Sequence, residues 1–115
     1  MADDIRHEAF ERLEVLDGAI ASTVEDLLQA RSRIKELLDQ RDSGAPWAEI
    51  VRQEDRPLVV ELVTRSLGSL SDSGGKFRRA EAEALRHDGL PMTKIAALFG
   101  VSRQRISSLL HGGQG

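Results

Sequence analysis

Arg103, Gln104, Ser107, Ser108 and His111 are the side chains of this sequence best suited to chemistry, and that chemistry is recognition rather than bond making. Their offsets of zero, one, four, five and eight put them on one side of a helix. A guanidinium can bridge O6 and N7 of guanine, and a Gln amide can bridge N6 and N7 of adenine. Serines are short enough to let a helix sit deep in a major groove. Arg105 falls to the side of this face, where a phosphate is the natural partner, and Ser102 precedes the helix as an N-cap. Lys94, Arg78 and Arg79 complete the expected DNA contacts, with Lys76 and Arg86 as further solvent-facing cations. The competing reading is a solvated face on a purely structural helical hairpin.

Catalytic constellations are not visible. His7, His87 and His111 are dispersed without metal-ligand spacing, and there is no cysteine. Gly74 and Gly75 lack the Lys-Ser/Thr pair of a phosphate loop, and no serine sits in a nucleophile elbow. The sequence therefore predicts no enzyme, no metal and no cofactor.

The recognition face needs two elements to hold it, and the run from Met92 to Leu110 supplies them. Ile95, Ala96, Leu98 and Phe99 are apolar at helical spacing. Gly100 stops that helix and can turn left-handed without a Cβ clash. Val101 plugs the gap between helices, and Ile106, Leu109 and Leu110 give the second helix its inward face. Ala96, four residues before Gly100, is small enough for the helices to cross closely. This spacing resembles the helix-turn-helix of small bacterial transcription regulators, and VSRQRIS resembles the recognition helix of sigma factor region 4 and of site-specific recombinase tails. The resemblance covers roughly the last third of the chain. It implies duplex DNA as partner and transcription regulation as function.

Composition agrees with helices. The chain has 115 residues, 40% apolar but only 3% aromatic, so a core must be built from Leu, Ile, Val and Ala. No signal peptide or membrane-spanning run is visible, which predicts a cytoplasmic protein. The net charge of −3 is unevenly spread. Residues 1–45 carry 11 acids and 6 bases, whereas residues 72–115 carry 4 acids and 7 bases. The positive excess lies with the recognition face, and its small size calls for two copies on a specific site.

A route to two copies is the amino-terminal segment. From about Asp3 to Arg41 there is no proline and one glycine, Gly18. Leu13, Ile20, Leu27 and Ile34 form one heptad row, and Leu16, Thr23, Ala30 and Leu37 a second, weaker one. Leu13, Leu16, Ile20, Leu27, Ile34 and Leu37 are the expected dimerisation residues. In a parallel pair Arg12 would face Asp17 of the other chain, and Asp26 would face Arg31. Val24 and Leu38 widen the stripe, so packing on the chain's own domain or in a larger bundle stays open. Val24 and Leu28 are also where a small effector would sit, although no spacing demands one.

The remainder reads as connectors. Asp42 to Pro46 is a breaker cluster. Pro46 and Trp47 open a short helix to about Glu54, with Trp47, Ile50 and Val51 on one face and Trp47 as core anchor. Asp55 is a candidate cap for a helix carrying Leu58, Val59, Leu62, Val63, Leu67 and Leu70. Ser71–Gly75 reads as a flexible turn, and Lys76–His87 as the first helix of a three-helix unit with Phe77, Ala80, Ala84 and Leu85 inward. The Gly-rich tail His111–Gly115 reads as disordered.

The sequence thus predicts an all-α chain: a coiled-coil dimerisation helix (1–45), two linking helices (46–71) and a helix-turn-helix domain (72–115). The expected function is that of a homodimeric, sequence-specific regulator. The alternative is a non-catalytic adaptor whose acidic coil docks on RNA polymerase, a sigma factor or another regulator.

Overall fold

The computed structural model describes residues 2–112, with side chains described from Asp3 to His111. Among the described residues there are five helices and no strand: α1 (Ala2–Leu38), α2 (Trp47–Arg52), α3 (Val59–His87), α4 (Met92–Phe99) and α5 (Arg103–Gly112). The expected disordered tail is helical through Gly112, and Gly113–Gly115 lie outside the described residues. Among the described residues no helix is long and apolar enough to cross a membrane.

Helix α1 runs without a proline, and Asp3 and Asp4 in its first turn and Lys35 in its last complement its dipole. The start of α3 is capped by carboxylates, but not by Asp55. The Leu58 amide donates to Glu61 Oε1 at 3.2 Å, and the Val59 amide donates to Glu54 Oε2 at 2.7 Å. Glu61, three residues beyond Leu58, reaches back as in a capping box. Asp55 has another task, because its carbonyl accepts a hydrogen bond from Arg33 Nη1.

Two expectations fail here. Ser71–Gly75 is not a turn: it lies inside α3, which is one 29-residue helix in place of a linking helix and a separate first helix. Local composition suggested a break, but the buried stripe continues through it, with Leu62, Ser66, Ser73 and Ala80 all buried at helical spacing. An Asp72–Lys76 pair at 3.2 Å spans the same turn. Trp47 is not a core anchor: it is 67% exposed. Helix α2 has only six residues, and Ile50 takes the buried position that so short an element offers.

The chain divides into two compact units, Met1–Gly18 with Ser71–Gly115, and Ala19–Leu70. They are not the consecutive segments 1–45, 46–71 and 72–115, since each draws on both long helices. In the Ala19–Leu70 unit, α1 and α3 run antiparallel. Arg65 makes two bonds to Asp26, at 2.9 and 3.1 Å, and Arg33 further along α1 meets Asp55 ahead of α3. The hydrogen bond and the charge of Asp26 hold the Arg65 guanidinium above its ordinary range. Thr23, Ala30, Leu62 and Ser66 are buried, and neither the Thr23 nor the Ser66 hydroxyl finds a partner.

This packing sorts the two heptad rows of α1. Leu16 and Leu37 are half-buried with Thr23 and Ala30, whereas Leu13, Ile20, Leu27 and Ile34 stay 41 to 47% exposed. Asp26 is tied to Arg65 of its own chain and Arg12 to Glu8 at 2.8 Å, so one charge of each pair invoked for a parallel coil is already engaged.

The continuous α3 has a direct test. A Cβ at Gly75 would meet nothing within 4 Å. Gly75→Ala should therefore raise the unfolding free energy by about 0.5–1 kcal/mol, as for a helix-interior glycine. Urea denaturation reads this, and a loss of stability would mean that residues 71–75 are not helical in solution.

Candidate nucleic-acid interface

The proposed contacts lie in the unit formed by Met1–Gly18 and Ser71–Gly115. Its core joins three helices: Ala82 of α3, Ile95 and Ala96 of α4, and Ile106 and Leu109 of α5, with Leu85, Leu90, Met92, Phe99, Val101 and Leu110 packed around them. Ala82 was not anticipated, because a fully buried alanine has no large apolar side chain to flag it. Leu98, expected inward, is 66% exposed.

Two matching caps set the angles between these helices. At the end of α3, Gly89 has φ 102°, the Leu90 amide donates to the Leu85 carbonyl at 3.1 Å and the Gly89 amide to that of Arg86 at 3.0 Å. At the end of α4, Gly100 has φ 68°, the Val101 amide donates to the Ala96 carbonyl at 3.0 Å and the Gly100 amide to that of Ala97 at 3.3 Å. Both are Schellman motifs, and in both the flanking pair (Leu85 with Leu90, Ala96 with Val101) belongs to the core or packs on it. Ser102 then caps α5, its Oγ accepting from the Arg105 amide at 3.0 Å.

With Ile106 and Leu109 buried, the other side of α5 faces solvent. Arg103, Gln104, Arg105, Ser108 and His111 are exposed and Ser107 is half-buried. Among the described residues Arg103, Gln104, Arg105 and Lys94 make no ion pair or side-chain hydrogen bond, so their donors are unspent. His111 is engaged instead: Nδ1 lies 2.9 Å from the Ser107 carbonyl, to which it donates in the neutral ring, leaving Nε2 as acceptor. From Pro91 to the end of the sequence there is no Asp or Glu.

Arg105 opens onto a cleft of about 800 Å³ that Arg12, Lys76, Arg78 and Arg79 also line. Most of these cations are paired: Arg12 with Glu8 at 2.8 Å, Lys76 with Asp72 at 3.2 Å, and Arg79 with Glu83 at 3.4 Å. Arg78 stacks over Phe99 at 5.5 Å from the ring centroid. The structure thus gathers Arg78, Arg79 and Arg105 at one cleft and leaves Arg103 and Gln104 on the open face of α5. Lys94 lines a separate shallow groove with Leu90, Pro91 and Leu98. Arg12 joins the cleft from more than sixty residues away, a proximity that no local pattern announces. Among the described residues no cluster of His or carboxylates could hold a metal ion.

The α4–α5 connection has its own test. A Cβ at Gly100 would meet nothing within 4 Å, so replacement is opposed by backbone conformation alone. Gly100→Ala should lower stability by about 1–2 kcal/mol, the opposite sign to Gly75→Ala, as read by the same denaturation.

The chain matches no protein family, no curated protein and no solved structure.

Proposed function

We propose that α4, the Gly100 turn and α5 form a helix-turn-helix, and that the protein binds duplex DNA sequence-specifically as a homodimer to regulate transcription. The observation that carries the reading is the contrast across α5. One side is locked by Ile106 and Leu109, and the other presents Arg103 and Gln104 exposed and without partners. A helix held rigidly by one face, with unspent bidentate donors on the other, suits insertion into a major groove. The absence of carboxylates after Pro91 removes the local charge that would repel phosphates.

In this reading Arg103 and Gln104 meet base edges, Ser107 and Ser108 allow close approach, and Arg105 with Arg78 and Arg79 holds the backbone at the cleft. Ser102 acts by fixing the start of the helix. The two half-sites lie one helical turn apart, roughly 34 Å, or a multiple of it.

The runner-up, an adaptor that docks on the transcription machinery, draws on Leu98, an apolar side chain left open beside Lys94. Selection from a random duplex library separates the two: a regulator enriches one sequence and an adaptor enriches none. For the regulator, Arg103→Ala should weaken binding by about 1–3 kcal/mol and relax one base position. Arg105→Ala should weaken all sequences alike and reduce the salt slope by about one. Unchanged affinity and base preference in Arg103→Ala, read by titration of fluorescent duplexes, would refute the assigned face.

A further inference from the structure

In the Ala19–Leu70 unit most exposed Leu, Ile and Val residues of the two long helices directly follow one that is wholly or partly buried, and Leu28, next to Leu27, widens the same row. On α1, Ala19, Thr23, Asp26, Arg33 and Leu37 are wholly or partly buried, and Ile20, Val24, Leu27, Ile34 and Leu38 follow them. On α3, Val59, Leu62 and Ser66 are wholly or partly buried, and Val60, Val63 and Leu67 follow them. Both helices are right-handed and they run antiparallel, so one residue onward turns each by 100° toward the same side of the pair. The unit therefore carries its exposed apolar side chains, 38 to 67% exposed, on one two-helix face. At 1.5 Å per residue this face is about 27 Å long from Ile20 to Leu38, and two helices make it about 20 Å wide. That is on the order of 500 Å² in plan, the size of patch that on a monomer often has a function. Its corrugated surface approaches the roughly 800 Å² that one partner buries in a stable complex.

We infer that this face pairs with the same face of a second copy about a two-fold axis passing at Val24 and Leu67, so that α1 lies antiparallel to the partner's α1 and the four helices form a bundle. This rests on the proposed dimer and specifies its interface. The level of the axis follows from the Asp26–Arg65 bridge. Two residues back along α1 and two forward along α3 set Val24 beside Leu67. The seam of α1 then reads the same from either end. Val24 meets Val24, and Ile20 meets the partner's Leu28.

Charge selects this orientation. This side of α1 carries Lys35 and, nearer the axis, Asp17 and Arg31, both exposed and without an ion pair among the described residues. They lie seven residues either side of Val24, so the antiparallel arrangement sets each against its opposite in the other chain, twice. A parallel pairing in register sets Arg31 against Arg31 and Asp17 against Asp17. Crossing α1 over the partner's α3 sets Arg31 against Val60. On α3 the same axis brings Leu67 to Leu67.

The chain has no cysteine, so introduced ones report cleanly. Val24→Cys and Leu67→Cys should each oxidise to a covalent dimer, because both sit at the axis. Ile20→Cys and Leu28→Cys should not couple alone but should couple when the two variants are mixed. Sedimentation of the unmodified chain should give twice 12.7 kDa, and Leu27→Glu should give 12.7 kDa with unchanged helical circular dichroism. A chain that sediments as a monomer overturns the interface. A dimer in which Ile20→Cys links to itself, or Val24→Cys does not, overturns the orientation. All of these are read without DNA, so they leave the base preference of Arg103 as an independent test of the proposed function.

Discussion

Apart from Leu62 and Arg33, small side chains are what the two long helices bury most deeply, and the arrangement of the molecule follows from that. Ala19, Thr23 and Ala30 on α1, and Ser66, Ser73, Ala80 and Ala82 on α3, are wholly or partly buried. In the Ala19–Leu70 unit, small residues such as Thr23, Ala30 and Ser66 let the helix backbones approach closely, as ridges settle into shallow grooves. Each contributes little apolar area, and two of the hydroxyls are buried without a partner, so these rows are a weak source of stability by themselves. Leu62 is fully buried, but most of the Leu, Ile and Val residues that would supply more are turned outward. Polar groups do part of the holding instead: Arg33 reaches the Asp55 carbonyl, and Arg65 grips Asp26.

The same division explains which parts of the fold are legible in the sequence. The end of α4 and the start of α5 are legible because their determinants are local. Gly100 takes the left-handed conformation, Ser102 caps, and Ile95, Ala96, Ile106 and Leu109 fall inward. Helix α1 is legible as a helix, but not the choice of which row it buries. A stripe of alternating three and four spacing is wide enough to hold two seams, and only the α3 partner distinguishes them. In α3 the signal is misleading. Ser71, Asp72, Ser73, Gly74 and Gly75 have turn composition, yet Ser73 lies on a stripe that begins at Leu62 and runs on to Ala80. Trp47 misleads in another way: its size suggests a core, while a helix of six residues has room to bury only Ile50.

For the candidate interface, residue identities on α5 are local information, whereas their electrostatic state is not. Nothing in the spacing distinguishes Arg79, paired with Glu83, from Arg105, which has no ion pair, or Arg78, stacked on Phe99. His111 has a suitable position, but its ring is turned back to the Ser107 carbonyl. The net positive charge of the last third is therefore a poor measure of what is available to a polyanion. The relevant quantity is the smaller set of cations that no carboxylate has neutralised.

The division of α1 into a quiet row and an oily row also bears on how the polypeptide behaves while it is being made. The α3 residues that cover α1 come some twenty to seventy positions later, and at about 5–20 residues per second their synthesis takes seconds. Through that interval a newly emerged α1 displays both rows. Its polar and small row offers little adhesion to chaperones or neighbouring chains, and its Leu and Ile row is the one left uncovered after folding as well. Docking of α3 thus hides nothing on which the proposed pairing of two chains growing on one messenger would depend, and such pairing would not have to wait for release from the ribosome.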